Sequence, residues 1–171
     1  LSYLVGSGDE ALAIDPSLDP EVYEQQAAKR GWRVTGVFDT HIHADHLSRA
    51  QRLAEQTGAT LYLPAQERVS FSHEPLEDGD SVPVGNAALT VLHMPGHTPE
   101  SMTYQLGESA LFTGDTLFLE SVGRPDLDAD PDEAERKARQ LYRSLRRLAD
   151  LPGDMLVLPG HASEPIPFDD E

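Results

Sequence analysis

The segment THIHADH, at residues 40–46, contains three histidines and an aspartate within six positions, directly after an apolar stretch. Imidazole nitrogens and carboxylate oxygens are ligands of zinc and of the first-row transition metals. Three later segments, PGHT at 95–98, TGDT at 113–116 and PGH at 159–161, each place one further such group beside glycine. The types and spacing of these groups predict that they converge on a metal site. The candidate ligands are His41, His43, Asp45, His46, His97, Asp115 and His161. We interpret His73 and His93 as structural.

A scaffold must bring these distant segments together, and the apolar pattern predicts one. Hairpins are predicted within 1–14, 81–93 and 101–113, with further strands at 34–40, 59–63 and 155–158, and an irregular segment at 64–75. A helix is predicted from Asp19-Pro20 to about Gly31, and another from Asp130 to about Ala149. The strands come in two groups, each followed by helix, which favours an α+β fold, a layered αββα sandwich.

Two helical faces are predicted to pack inward. The helix over 47–57 should bury Leu47, Ala50, Leu53 and Ala54. The helix that starts at Asp130 should bury a stripe of small and apolar residues, namely Ala134, Ala138, Leu141, Leu145 and Leu148. We expect one domain over residues 1–171. The chain begins inside a predicted strand and stops ten residues after His161, which is compatible with trimming at both ends.

The composition narrows the function classes. With 30 acidic and 13 basic residues the net charge is −17, so nucleic acid is an unfavourable partner. No run of 18 apolar residues and no basic leader is seen, so we expect no membrane segment and a cytoplasmic location. The acidity fits either adaptation to high salt or ordinary solubility. Cysteine is absent, so a metal must be held by nitrogen and oxygen donors.

In the order HxHxDH, GHT, GD and GH, the chain resembles the metallo-β-lactamase superfamily from Leu1 to about Ala162. That resemblance implies the four-layer αββα sandwich. Within the superfamily the chain looks most like the persulfide dioxygenases, also called sulfur dioxygenases, and next like the glyoxalase II hydrolases.

The resemblance implies two ways of dividing the ligands. In the dioxygenases a single Fe(II) is bound at the positions of His41, His97 and Asp115, and the remaining candidates orient those three. Two histidines and one carboxylate leave coordination positions open for substrate sulfur and O2. In the hydrolases two zinc ions share the site: His41, His43 and His97 hold one ion, Asp45, His46 and His161 hold the other, and Asp115 bridges them. The ligand pattern alone does not choose between these arrangements.

Other segments favour the dioxygenase branch. The sequence Gly123-Arg124-Pro125-Asp126 resembles the Gly-Arg-x-Asp of persulfide dioxygenases, whereas glyoxalase II enzymes usually carry aromatic residues after Gly-Arg. The segment PGHTPES at 95–101 resembles bacterial dioxygenases, some of which are fused to a rhodanese domain. The sequence stops ten residues after His161, where the resemblance to glyoxalase II enzymes would imply a long C-terminal helical segment that binds glutathione.

The sequence therefore predicts a mononuclear non-haem iron persulfide dioxygenase that oxidises glutathione persulfide, or a similar small persulfide, with O2 to sulfite and thiol. Its partners would be the small-molecule persulfide and O2, and a homodimer or a rhodanese fusion is compatible with the resemblance. Arg124 has two interpretations: its guanidinium binds a carboxylate of the thiol substrate, or it pairs with Asp126 and stiffens the loop. The alternative function is a dinuclear zinc thioester hydrolase of the glyoxalase II type.

Overall fold

The computed structural model describes residues 1–43, 47–66, 68–127 and 129–162. Within these ranges the first sheet runs in sequence order through five strands: β1 (Tyr3–Ser7), β2 (Glu10–Ile14), β3 (Arg33–Phe38), β4 (Thr60–Pro64) and β5 (Glu74–Leu76). The second sheet has the order β10-β9-β8-β7-β6, formed by β6 (Ser81–Val84), β7 (Ala87–His93), β8 (Met102–Leu106), β9 (Ala110–Gly114) and β10 (Leu156–Pro159). Three helices accompany them: α1 (Pro20–Lys29), α2 (Ala50–Thr57) and α3 (Pro131–Ala149).

Three hydrophobic clusters show how these elements are layered. The central cluster joins the facing sides of the two sheets and includes Ile14 and Phe38 from the first sheet and Val91, Tyr104 and Phe112 from the second. A second cluster packs α1 and α2 against the outer face of the first sheet. A third places Leu148 of α3 against the outer face of the second sheet. The predicted four-layer αββα sandwich is thus confirmed.

The predicted hairpins are present, and the candidate ligands lie in other connections, which follow the ends of β3, β7, β9 and β10. β1 pairs with β2, β6 with β7, and β8 with β9, all antiparallel. Strands β2, β3 and β4 pair in parallel, so their carboxyl ends lie at one edge of the first sheet. Strand β5 was not predicted, and it begins in the segment 64–75 that was predicted to be irregular. Its three residues pair with β4 but are too few to show an alternating pattern in the sequence.

Two predicted helical faces need correction. Helix α2 begins at Ala50 rather than Leu47, and Leu47 is 72% exposed. The hydroxyl of Ser48 accepts from the Ala50 amide at 3.1 Å and donates to Asp39, which starts the helix three residues later than predicted. Ala50, Leu53 and Ala54 are buried as predicted.

The buried face of α3 is more polar than the predicted stripe. Its buried residues are Lys137, Leu141, Ser144 and Leu148, whereas Ala138 is exposed. The predicted cap at Asp130 is confirmed, since its carboxylate accepts from the Glu133 amide at 2.9 Å. In the described part of the chain, no helix is both long enough and apolar enough to cross a lipid bilayer.

Candidate metal centre

Three of the predicted ligands come together at the strand ends. His41 follows β3, His97 lies in the turn between β7 and β8, and Asp115 comes directly after β9. Each offers one ligand atom, and the three atoms lie within 4.8 Å of one another. His97 Nε2 is 3.6 Å from Asp115 Oδ2, and the rings of His41 and His97 are nearly perpendicular, with centroids 5.1 Å apart. Two imidazoles and one carboxylate in this arrangement suit a divalent first-row metal.

A buried hydrogen-bond chain orients His41. Its Nδ1 lies 3.0 Å from the hydroxyl of Thr40, which donates at 2.9 Å to Asp15 Oδ2. Because the hydroxyl proton is given to the carboxylate, the hydroxyl oxygen accepts from His41 Nδ1–H, and the Nε2 lone pair is left for a metal. Burial, followed by the neighbouring His43, lowers the pKa of His41 to about 4. The ring is therefore neutral near pH 7, as a metal ligand must be.

The other two candidate ligands are oriented from different segments. His97 Nδ1 donates to the backbone carbonyl of Arg124 at 3.1 Å, which leaves Nε2 facing Asp115. His161 Nδ1 lies 2.9 Å from Asp115 Oδ1, while Oδ2 is the oxygen nearer His97. Such partners fix ring orientation and raise the basicity of metal ligands.

Close backbone packing surrounds Asp115. A Cβ atom at Gly160 would overlap Asp115 Oδ1, and one at Gly123 would overlap the Asp115 carbonyl oxygen. Glycine at both positions lets the β10 turn and the segment after β9 approach the carboxylate closely. Both positions therefore need glycine for a steric reason, because a side chain there would collide with Asp115.

Of the remaining candidate ligands, two border the group of three, and two fall outside the described residues. The His43 ring is 4.1 Å from the His41 ring, but its Nε2 is 3.1 Å from Asp15 Oδ1 and 3.8 Å from Asp39 Oδ1. His161 approaches Asp115, and its side chain is 48% exposed. The predicted ligands Asp45 and His46 fall outside the described residues, so their place in the site stays a prediction.

Sequence reasoning missed a second buried group beside the first, formed by Asp15, Asp39 and His43. Burial raises the pKa of Asp39 to about 7, and the charge of Asp15 adds to that increase. Burial also acts to raise the pKa of Asp15, but its hydrogen bond with His43 and nearby charges outweigh this and lower it. The signal was available: each aspartate follows the last residue of an apolar strand, as the predicted ligands do.

Arg124 contributes a backbone carbonyl and an exposed side chain. Its guanidinium pairs with Asp126 through two hydrogen bonds of 3.0 and 2.8 Å, and the two side chains are 68% and 53% exposed. The paired interpretation of Arg124 is thus observed, and its substrate role stays a prediction. The contact of its carbonyl with His97 was not anticipated, because a backbone group has no signature in the sequence.

The profile of the metallo-β-lactamase superfamily matches residues 1–161. The chain is 36% identical over 161 residues to a hydroxyacylglutathione hydrolase of Methylobacillus flagellatus, covering 93% of this chain and 60% of that protein. Further bacterial hydroxyacylglutathione hydrolases match at 34–37% identity. The human mitochondrial persulfide dioxygenase ETHE1 is 33% identical over 165 residues, covering 94% of this chain and 63% of that protein.

The chain is also similar to a solved structure. The crystal structure of ETHE1 from Myxococcus xanthus superposes with a TM-score of 0.83 at 38% identity, covering 95% of this chain and 71% of that one. The chain spans only 55–61% of the length of the hydroxyacylglutathione hydrolases that it matches. The strand-end cluster, the sandwich and the profile match agree: the chain belongs to the metallo-β-lactamase superfamily.

Proposed function

We propose that this chain is a mononuclear non-haem iron persulfide dioxygenase. The observation that carries the proposal is the compact group of His41, His97 and Asp115, with the Nε2 atom of His43 directed to Asp15 instead. Two histidines and one carboxylate are the ligand set of Fe(II) oxygenases. The similarity to ETHE1 proteins and the segment Gly123–Asp126 support the same reading.

The reaction would join a persulfide RSSH, O2 and water to give RSH, sulfite and two protons, a balanced oxidation of the outer sulfur. Iron bound by the three ligands would supply open coordination positions for the substrate sulfur and O2. The protein's part is to hold the three ligand atoms ready. Thr40 keeps the proton of His41 on Nδ1, the Arg124 carbonyl keeps that of His97 on Nδ1, and His161 holds one oxygen of Asp115.

Arg124 would bind the substrate's carboxylate in this proposal, with glutathione persulfide as the substrate. Its guanidinium is exposed, and its own carbonyl contacts His97, so the side chain starts beside the ligand group. The pair with Asp126 is also exposed, and such pairs contribute little to stability. A substrate carboxylate can therefore replace Asp126 on the planar guanidinium at small cost.

The alternative function is a dinuclear zinc thioester hydrolase that uses His43, Asp45, His46 and His161 in addition. The higher identity to several hydroxyacylglutathione hydrolases favours it. Zinc has no redox chemistry, so such an enzyme is indifferent to oxygen. The two proposals therefore predict opposite dependence of activity on O2, and one experiment distinguishes them.

The protein is stripped of metal, reconstituted anaerobically with one equivalent of Fe(II), and given glutathione persulfide in an oxygen-electrode cell. We expect O2 uptake with an equal amount of sulfite, and at most slow cleavage of S-lactoylglutathione. The matched controls are the same protein loaded with zinc and the His41→Ala variant treated with Fe(II). Rapid cleavage of the thioester without O2 uptake from persulfide would instead establish the hydrolase.

A further inference from the structure

Helix α3 presents an unusual buried face to the loops around His97. Lys137, Leu141, Ser144 and Leu148 recur every three or four residues, so they lie along one side of the helix. Two of the four are polar. Lys137 is only 7% exposed, and a lysine is almost never buried without a partner. The other lysine of the chain, Lys29 in α1, is exposed.

Each polar residue of this face bonds to a backbone carbonyl, and the two carbonyls belong to different loops. The Ser144 hydroxyl donates at 2.8 Å to the carbonyl of Pro95, two residues before His97. The Lys137 ammonium donates at 3.1 Å to the carbonyl of Leu127. Leu127 ends the segment that begins at Gly123 and carries the Arg124 carbonyl.

Between these two bonds the helix touches the histidine loop directly. A Cβ atom at Gly96 would overlap the backbone of Leu141, so α3 packs against the peptide that precedes His97. Gly96 has φ of 149°, a conformation that side chains rarely adopt. The loop is thus fixed on the helix at Pro95 and Gly96, and the segment that accepts the His97 proton is fixed at Leu127.

We propose that Lys137 and Ser144 are positioning residues that hold His97 from two sides. Ser144 fixes the backbone from which the imidazole projects. Lys137 fixes the segment whose Arg124 carbonyl accepts from Nδ1 at 3.1 Å and so keeps the Nε2 lone pair toward Asp115. Neither residue touches a metal or substrate. The inference rests on the proposed metal centre but is independent of which reaction that centre catalyses.

The test uses Lys137→Met, which keeps an apolar stem of similar length and removes the donor, and Ser144→Ala. Lys29→Met is the matched control, because it makes the same chemical change on an exposed helix site. Zinc is the probe, and its dissociation constant is measured by competition with a chromophoric chelator. Changes in the partners that orient metal ligands typically cost about 10–100-fold in affinity. We expect a loss of about 10-fold or more for each α3 variant and none for the control.

A second readout separates positioning from general destabilisation. In the metal-free protein, ¹⁵N shifts of the imidazole rings report which nitrogen carries the proton. Lys137→Met should give His97 a mixture of tautomers and leave His41, which is held by Thr40, unchanged. If a folded Lys137→Met protein keeps both the zinc affinity of Lys29→Met and the His97 tautomer, the proposal is wrong. It is equally wrong if His41 and His97 change together in parallel with a lower Tm.

The outcomes also distinguish this proposal from the proposed function. A wild-type protein that binds zinc but takes up no O2 with Fe(II) would refute the dioxygenase and leave the α3 test intact. A wild-type protein that binds no metal would refute the metal centre, and the tautomer measurement would still decide the role of α3. If Lys137→Met does not fold, Ser144→Ala with the same two readouts decides the outcome, since unchanged zinc affinity there would refute the shared role.

Discussion

The hydrogen-bond chain from His41 through Thr40 to Asp15 has a direction, and one substitution should reverse it. Asp15 Oδ1 accepts from the Thr40 amide at 2.6 Å, and Oδ2 accepts from the Thr40 hydroxyl at 2.9 Å. In Asp15→Asn the amide oxygen must stay opposite the Thr40 N–H, so the new NH2 group faces the Thr40 hydroxyl. That hydroxyl must then accept from the new asparagine and donate to His41 Nδ1.

The reversal would place the His41 proton on Nε2, the nitrogen that should bind the metal. To bind metal through Nε2, the His41 ring must move its proton back to Nδ1. The Nδ1–H group then faces the Thr40 hydroxyl, and one of these two donors is left without an acceptor. A buried donor left without an acceptor costs about 1–3 kcal/mol. Since about 1.4 kcal/mol corresponds to a factor of ten, we expect zinc affinity to fall by about 10–100-fold. The fold should survive, because Asp15 has φ of 49° and asparagine tolerates that region.

The assay is zinc affinity by chelator competition, with the His41 tautomer read from ¹⁵N shifts. Thr40→Ser keeps the hydroxyl and should bind zinc nearly as well as wild type, whereas Thr40→Val removes the relay. Because both changes act through one relay, Asp15→Asn should add little in a Thr40→Val background. Wild-type affinity in a folded Asp15→Asn protein would refute the reasoning, as would two losses that simply add.

Four further changes have expected outcomes. His43→Ala should weaken zinc binding about 10–100-fold while His41→Ala abolishes it; equal loss in both would refute the mononuclear ligand set. Arg124→Lys should raise KM for glutathione persulfide more than it lowers kcat, whereas unchanged kinetics would leave only the pair with Asp126. With a net charge of −17, Tm should rise steadily from dilute to molar KCl, and a flat curve would exclude destabilising self-repulsion. The pKa of Asp39 is raised to about 7 in the folded protein, so this group contributes to the free energy of unfolding below the unfolded pKa near 4, and the contribution is lost as pH rises through 7. Between about pH 4 and pH 7 the Tm of metal-free Asp39→Asn should therefore fall less than the Tm of the metal-free wild type.

The residues that make up the candidate ligand cluster could be identified in the sequence because their signals are local. His41, His97 and Asp115 each follow an apolar strand, and strand ends with short turns are where a sheet places functional groups. The hairpins were also local, since β6 and β7 meet through Gly85-Asn86 and pair as the sequence indicated. Sequence neighbours decide the strands and turns that carry these residues, whereas the convergence of the three side chains depends on the packing of the sandwich.

The strand-end positions of Asp15 and Asp39 could be seen in the sequence, but the contacts of the supporting groups arise only after folding. Asp15 is 28 residues from His43, and no spacing rule links the two side chains that the sandwich brings within 3.1 Å. The polar face of α3 was missed for the same reason. A helical stripe predicts apolar packing, but α3 covers loops whose backbone carbonyls need donors, so Lys137 is buried and Ala138 is exposed.

The two sheets are joined by hydrogen bonds at the residues just before His41. These bonds give residues from distant parts of the chain a common support. Tyr104 of the second sheet is fully buried, and its hydroxyl donates at 2.6 Å to the carbonyl of Asp39. The Met102 amide donates at 2.8 Å to the carbonyl of Thr40. Strand β8 thus holds the backbone that leads into His41, while the turn before β8 carries His97. The distance between His41 and His97 is therefore set by the packing of one sheet on the other. A substitution in the central core should change the geometry of the candidate metal centre even where it leaves the surface unchanged.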